Sequence, residues 1–462
     1  MKILDTLTKQ EKELDVSENV RIYLCGVTVY DESHIGHART IIIFDVFRRY
    51  LEDKGINVNF IQNFTDVDDK IINRAKTENS TAKEVSEKYI KNYFDDFDRL
   101  NVQRATKYPK ATEHIQDMIE FIKKLVEKQI AYVSKNGVYF SVEKFPEYGK
   151  LSKKKIEELE YGARIEVDDA KKSPLDFALW KFAKDEPTWE SPWGKGRPGW
   201  HIECSAMSTK YLGETFEIHG GGRDLIFPHH ENEIAQAESY TGKQFAKMWM
   251  HVGMVTINGE KMSKSLGNIK SIKYVLDNWG PNIIRLFCLS GHYSKPIDYS
   301  EELLKENLKK WRLAETCHYE LLQAESSNTQ NVQQLIDETK MEFDNALEND
   351  MNTHLAISSF FRLVRETNRL AAENNLGKIE AAKIMPEFQR MLDILGLQIP
   401  ELSINERKEI ESIIEKREQM RKEKNFEEAD KLRDKIKNMN IELLDHKGRT
   451  VWIKKEKIKV EC

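Results

Sequence analysis

Residues 21–63 read RIYLCGVTVYDESHIGHARTIIIFDVFRRYLEDKGINVNFIQN, and their patterning decides the fold class. The apolar run 21–25 ends at Gly26, as a buried strand does where it feeds a loop. Residues 41–51 repeat apolar side chains at helical spacing, and Gly55 stops them. Within 57–63, Val58 and Phe60 alternate with polar neighbours, the period of a strand. Strand, helix and strand at this spacing form the βαβ unit of a parallel sheet. At the junction of loop and helix stands His34-Ile35-Gly36-His37. Three residues apart at a helix N-terminus, the two imidazoles face one side, where the partial positive charge of the helix end favours phosphate. Gly36 between them leaves room for a flat base or a ribose to approach the backbone. Taken alone, such a tetrad is equally compatible with surface histidines in a loop.

Outward from this unit the pattern changes. Residues 76–199 hold charged helices, a hairpin at Asn136-Gly137, and four of the eight tryptophans between Trp180 and Trp200. They read as an insertion. The sheet pattern resumes at 216–218 and again at 248–255. Beyond Ser271 the period is almost entirely helical to Asn440, with 406–437 resembling a solvated helical pair. Residues 441–444 and 450–453 then read as a closing hairpin. The expected organisation is a parallel-sheet α/β first half over 1–75, an insertion over 76–199, a second half over 200–272, a helical bundle over 273–400 and a small module over 401–462.

Composition sets outer limits. The 462 residues are 40% hydrophobic and 32% charged, enough to bury the cores of several domains. The first fifteen residues contain no apolar stretch suited to a signal peptide, and no run of about 18 apolar residues occurs. A cytoplasmic protein with no membrane partner is expected. The five cysteines are odd in number and scattered, which argues for metal binding or simple burial over a disulfide framework. The net charge of −5 excludes a general polyanion binder, although residues 401–462 carry 17 Lys/Arg against 15 Asp/Glu and lean basic.

Two further constellations carry chemistry. Lys261-Met262-Ser263-Lys264, followed by Ser265, comes after the Asn258-Gly259 turn. It reads as a cationic arm suited to neutralising a leaving pyrophosphate, or, by itself, as a solvated loop. Pro228-His229-His230-Glu231-Asn232-Glu233 begins with a proline at a plausible first helical position and sets His229 and Glu233 at i and i+4 on one face. Those two can grip one ion. Cys25 and Cys204 would complete a ligand set suited to zinc, but ligands so far apart form no spacing motif. On the residues alone, both cysteines are as readily small buried groups at strand ends.

The two tetrads, in this order and about 225 residues apart, resemble the signature pair of the class I aminoacyl-tRNA synthetases, without a departure from the family pattern. The resemblance implies that ATP, with Mg2+, is held on a Rossmann-like sheet while an amino-acid carboxylate attacks its α-phosphate. His34, His37, Lys261 and Lys264 would be catalytic, and His34, Gly36, His37, Gly221, Asp224 and Lys264 would hold ATP. Residues 24–31, 63–70, 199–207 and 219–233 resemble segments peculiar to the cysteine-specific members of that family. That likeness implies one zinc ion on Cys25, Cys204, His229 and Glu233, with the substrate thiolate completing its coordination.

By the same likeness Gly26, Thr65 and Trp200 would line the pocket for L-cysteine, although Thr65 also suits a helix N-cap and Trp200 a core position. His201, His219 and His230 would crowd the base of that pocket. No separate editing domain is expected, since metal ligation separates a thiol from a hydroxyl. Residues 292–300 and the following helices resemble the stem-contact and bundle regions of the family. The segments 427–434 and 450–455 resemble its anticodon-binding module, which implies tRNA(Cys) as partner, with Arg433 and Trp452 as candidates for bonding to and stacking on anticodon bases; a monomer is expected. For Trp452 the other reading is a core residue of a small hairpin domain.

Overall fold

A computed structural model describes residues 1–16, 19–154, 169–262, 267–326, 330–400, 402–446 and 449–461. The strand expected at 21–25 runs Val20–Thr28, and the one expected at 57–63 runs Val58–Thr65. The helix between them, Ile35–Asp53, starts at the histidine tetrad because His34 caps it. Its buried face carries Ile35, Ile42, Ile43, Phe44, Val46 and Phe47, so packing against the sheet stabilises it. Four parallel strands form the sheet in the spatial order Ala246–Val252, Phe216–Gly222, Val20–Thr28, Val58–Thr65. The chain departs in opposite directions from the two middle strands. Their carboxyl ends therefore open a crevice at a topological switch point, where open α/β sheets bind ligands.

A register shift between Leu24 and Val27 interrupts the first strand at Gly26. A side chain is excluded there, since a Cβ on Gly26 would lie 1.5 Å from the Asn63 carbonyl oxygen. The close backbone approach turns Cys25 and Gly26 toward the crevice.

Between Val58–Thr65 and Phe216–Gly222 the chain forms helices Asp69–Glu78, Ala82–Arg99 and Ile115–Glu127 and an antiparallel sheet of Ala131–Ser134, Gly137–Phe140, Phe177–Phe182 and Gly196–Pro198. The expected hairpin exists, but Ser134 pairs with Gly137, so its two loop residues are Lys135 and Asn136. Gly137 pairs within the strand, and only glycine fits there because a Cβ would meet the Trp180 carbonyl oxygen at 2.1 Å. Phe140, Trp180 and Ile122 share one apolar core with Ile202, Ile234 and Trp249. This region thus packs on the helices flanking the parallel sheet.

The run at 248–255 breaks at Gly253, whose backbone packs so tightly on Lys295 that a Cβ would sit 2.2 Å from its carbonyl oxygen. Beyond the break, Val255–Ile257 pairs with Glu260–Lys261 and with Ile297–Asp298. The last strand interrupts the expected helical stretch, and two residues are too few to show alternation. Helices Ile272–Trp279, Pro281–Leu289, Glu301–Leu322, Gln333–Glu348, Thr353–Ala372 and Lys378–Leu395 follow. The tail is the helix pair Ile404–Lys422 and Phe426–Asn438, closed by the hairpin Ile441–His446 and Arg449–Lys454. A hairpin of Lys2–Asp5 and Gln10–Glu13, without counterpart in the sequence reading, edges the N-terminus. Among the described residues no helix is long and apolar enough to cross a membrane.

Candidate active site

The crevice at the switch point is a cavity of about 630 Å³ lined by His34, Gly36, His37, Cys25, Gly26, Trp200, Gly222, Asp224, Lys261 and Met262, among others. The imidazoles of His34 and His37 stack with centroids 3.7 Å apart and planes inclined 17°. The Gly36 N–H donates to His34 Nδ1 at 3.1 Å, and the His34 N–H donates to His37 Nδ1 at 3.3 Å. With each Nδ1 accepting from the backbone, a neutral ring carries its proton on Nε2. Burial, together with the neighbouring His34, holds the His37 imidazole well below its ordinary range and so keeps it neutral. The first tetrad therefore presents oriented N–H donors at a helix N-terminus.

The second tetrad reaches the same cavity. Lys261 ends a strand and pairs with Asp224 at 3.7 Å. Met262 closes over the first tetrad, since a Cβ on Gly36 would come within 3.4 Å of its Cε. Ser263, Lys264 and Ser265 lie outside the described residues. Gly222 and Asp224 line the cavity. Gly221 instead packs against the His230 ring, where a Cβ would meet Cε1 at 2.8 Å. Its place is under the site, whereas its neighbour Gly222 lines the cavity.

At the floor of the cavity a buried cluster of Cys25, His229, His230 and Glu233 brings one donor atom from each residue within 4.8 Å of the others. Cys25 Sγ lies 3.3 Å from Glu233 Oε1 and 3.2 Å from His230 Nε2. His229 Nε2 stands 3.0 Å from the same carboxylate oxygen. Cys204 adjoins through its Sγ, 3.6 Å from that of Cys25. The sequence set of Cys25, Cys204, His229 and Glu233 is thus brought together, and His230, expected only beneath it, reaches into it. Pro228 does not open the helix. Residues Ile226–His230 form a wider turn, and the regular helix is Glu231–Thr241.

The electrostatics suit a cation. Burial pulls the Glu233 carboxyl up, yet His219 and His229 hold it well below the usual carboxylate range. Burial pulls His229 down, but Glu233 and Cys204 override it and push the imidazole up to about 10. Burial also acts to raise the Cys204 thiol, which hydrogen bonds with Cys25 and His229 bring down to about 6. Buried, anionic and rich in sulfur and nitrogen, the cluster is a site that can hold a metal ion.

Supporting residues complete the site. The Trp200 indole stacks on His229 with centroids 4.1 Å apart and planes inclined 19°. His201 Nδ1 lies 2.9 Å from His229 Nδ1, and His219 Nε2 lies 2.7 Å from Glu233 Oε2. Thr65 is buried, and its hydroxyl donates to Glu203 at 2.7 Å. It is no helix cap, because Asp68 fills that role. Two residues have no signal in the sequence. Asn63 accepts from the Gly26 N–H at 2.9 Å and lies 3.7 Å from Cys204 Sγ. His251 links His230 to Thr6 through contacts of 2.8 Å on each side.

The tail separates its two candidates. Arg433 is exposed and borders a cleft of about 840 Å³ with Arg312, Lys437, Lys455 and Lys457. Trp452 is buried at 4% exposure, with its ring 5.1 Å from Tyr319 and its backbone bonded to Gln323. The base-stacking role expected of Trp452 does not fit, since its ring lies in a core shared by the hairpin, the tail helices and Tyr319.

Comparison with known proteins accords with this geometry. Residues 11–309 match the tRNA synthetases class I (C) catalytic domain, and residues 342–399 match the DALR domain. A cysteine--tRNA ligase of Thermodesulfovibrio yellowstonii is 48% identical, over 98% of this chain and 99% of its own. One of Caldicellulosiruptor saccharolyticus is 49% identical over 96% and 98%, and one of Thermococcus kodakarensis is 48% identical over 98% of each. Among solved structures, Mycobacterium tuberculosis methionyl-tRNA synthetase in complex with methionyl-adenylate superposes with a TM-score of 0.61 at 14% identity, covering 82% of this chain and 89% of that one. Sheet order, paired tetrads and relatives aligned along nearly the whole chain agree: the chain belongs to the cysteine--tRNA ligase family of class I tRNA synthetases.

Proposed function

We propose that the protein joins L-cysteine to ATP, forming cysteinyl-adenylate and pyrophosphate, and transfers the cysteinyl group to the 3' end of tRNA(Cys) as a cytoplasmic monomer. One observation carries this reading: the cavity lined by both tetrads has Cys25 of the donor cluster in its wall. A nucleotide at the tetrads and a side chain at the cluster would share one space.

In the first step a cysteine carboxylate oxygen attacks the α-phosphorus of Mg2+-bound ATP, and the bond to the bridging oxygen breaks to release pyrophosphate. His34 and His37 would donate through Nε2 to phosphate oxygens, while Lys261 and Lys264 would balance the charge growing on the leaving group. Gly222 and Asp224 would face the ribose. In the second step a terminal ribose hydroxyl of the tRNA attacks the activated carbonyl, and AMP leaves.

Cys25, Cys204, His229 and Glu233 would hold zinc, with Trp200 stacked over His229 to orient it. Bound there, zinc favours the thiolate of cysteine, whereas a serine hydroxyl stays protonated and ligates poorly. A purely apolar pocket would separate the two by only about a hundredfold. Gly26 and Thr65 would bound the amino-acid end, and the basic residues around Arg433 would meet the anticodon.

The test is ATP–pyrophosphate exchange with cysteine or serine, followed by charging of tRNA(Cys), on enzyme whose zinc content is measured. Exchange that depends on cysteine and on bound zinc is expected. Equal exchange with serine would overturn the zinc-selection reading.

A further inference from the structure

Arg39 lies on the tetrad helix, two residues past His37, and its side chain is fully buried. No carboxylate among the described residues pairs with it. Its guanidinium instead donates to three backbone carbonyls on two separate segments: Gly253 at 2.8 Å, Met254 at 3.1 Å and His292 at 3.1 Å. Burial draws it down only to about 10, so it stays charged at neutral pH. Burying a cation among neutral partners is costly, and an apolar side chain of similar length would fill the space without that cost. What a guanidinium adds is direction, since its planar fork fixes several acceptors at once where an ammonium fixes a point.

The gripped segments matter for the cavity. Val252, Gly253, Met254 and Val255 line the same cavity as His34, Gly36, His37 and Thr40. They also lead into the small sheet whose edge strand Glu260–Lys261 holds the start of the lysine tetrad. The His292 ring lies 3.3 Å from Asp350, so the third carbonyl belongs to a turn tied to the helical bundle.

We infer that Arg39 is a positioning residue for amino-acid activation: through the Gly253, Met254 and His292 carbonyls it holds the wall that leads to Lys261 in register with His34 and His37. The role rests on reading the cavity as the ATP site. Arg39 is not among the residues that line the cavity. It sets the separation of two walls that close on a substrate, and a displacement of about an ångström at such a site costs about a hundredfold in rate.

The experiment compares Arg39→Met, Arg39→Lys and His37→Ala with the wild-type enzyme in cysteine-dependent pyrophosphate exchange, with thermal unfolding measured on each. Arg39→Met is expected to lose about 100-fold in kcat while its KM for cysteine stays within about twofold. Added guanidinium, far below denaturing concentrations, is expected to restore part of that rate. Arg39→Lys is expected to melt with the wild type and to lose about tenfold in kcat. Wild-type kcat in either Arg39 variant, or a loss that tracks only the unfolded fraction and resists guanidinium, overturns the inference. Should Arg39→Met fail to fold, the kcat of Arg39→Lys decides. Unimpaired exchange in His37→Ala would overturn the reading of the cavity, separately from the role of Arg39.

Discussion

His34 and His37 stack face to face, with ring centroids 3.7 Å apart, and each Nδ1 accepts a backbone N–H at the start of the same helix. In each ring Nδ1 is taken by the backbone, so on the proposed reading Nε2 is the atom left to meet a phosphate oxygen. Replacing His34 by Asn keeps a good N-cap acceptor and removes Nε2. Stability should change by no more than about 0.5 kcal/mol, while cysteine-dependent pyrophosphate exchange should fall by about 100- to 1,000-fold, as when an oriented donor is removed. Thermal unfolding and exchange on one preparation test this, and undiminished exchange would rule out the ring as a phosphate donor.

Cys204 and His230 compete for one place beside Cys25, at 3.6 Å and 3.2 Å from its sulfur. With Cys204 as the ligand, Cys204→Ser should reduce bound zinc well below about one per chain. His230→Asn should instead keep the metal and weaken its affinity by about 10- to 100-fold, the usual effect of losing a group that orients a ligand. Metal content after dialysis against a graded chelator distinguishes the two. Stoichiometric zinc in Cys204→Ser with loss in His230→Asn would place His230 in the set.

Asp96 is buried in the Ala82–Arg99 helix with one carboxylate oxygen lacking a partner. Burial and then Glu32 push its pKa up to about 6, whereas an unfolded Asp titrates at about 3.9. Between those values the folded chain binds a proton that the unfolded chain releases, so this contribution is full below about pH 4 and lost above about pH 6. Asp96→Asn should stabilise the protein by about 1–2 kcal/mol at about pH 7.5 and by less at about pH 5. Urea melts at the two pH values measure the difference, and an equal gain at both would refute the assignment.

Arg433 is exposed beside a cleft lined by both cationic side chains and carboxylates, and Trp452, in the closing hairpin, is buried. Arg433→Ala should leave stability within about 0.5 kcal/mol and reduce charging of tRNA(Cys) by about 10- to 100-fold, with pyrophosphate exchange unchanged. Trp452→Ala should cost about 3–5 kcal/mol of local stability and loosen the tail. Limited proteolysis is the discriminating measurement: only the Trp452 variant should expose cleavage sites after residue 402. A Trp452 variant as resistant as wild type, yet defective in charging, would restore its ring to base stacking.

Much of the fold was legible because its signals are local. The strands around Gly26 and Val58, the helix begun by His34, and the closing hairpin each follow from side chains within a few positions of one another. Ile297–Asp298 was not legible, since a two-residue strand exists only through its partner Val255–Ile257. Trp452 misled for a related reason. An aromatic beside lysines suits stacking on a base as well as burial, and Tyr319, more than 130 residues away, decides between them.

By itself the sequence determined the parallel sheet, the helix that opens at His34, the two tetrads, and the pairing of His229 with Glu233 one turn apart. Periodicity and capping act over about four residues, so the chain states them directly. Only the tertiary structure decided that Cys25 meets Cys204 across 179 residues, that His230 enters the donor cluster, that Gly221 lies beneath the site, and that Arg39 ties two cavity walls together. Those contacts depend on strand order. Placing Val20–Thr28 beside Phe216–Gly222 brings distant strand ends to one crevice, and no spacing along the chain records which ends will meet.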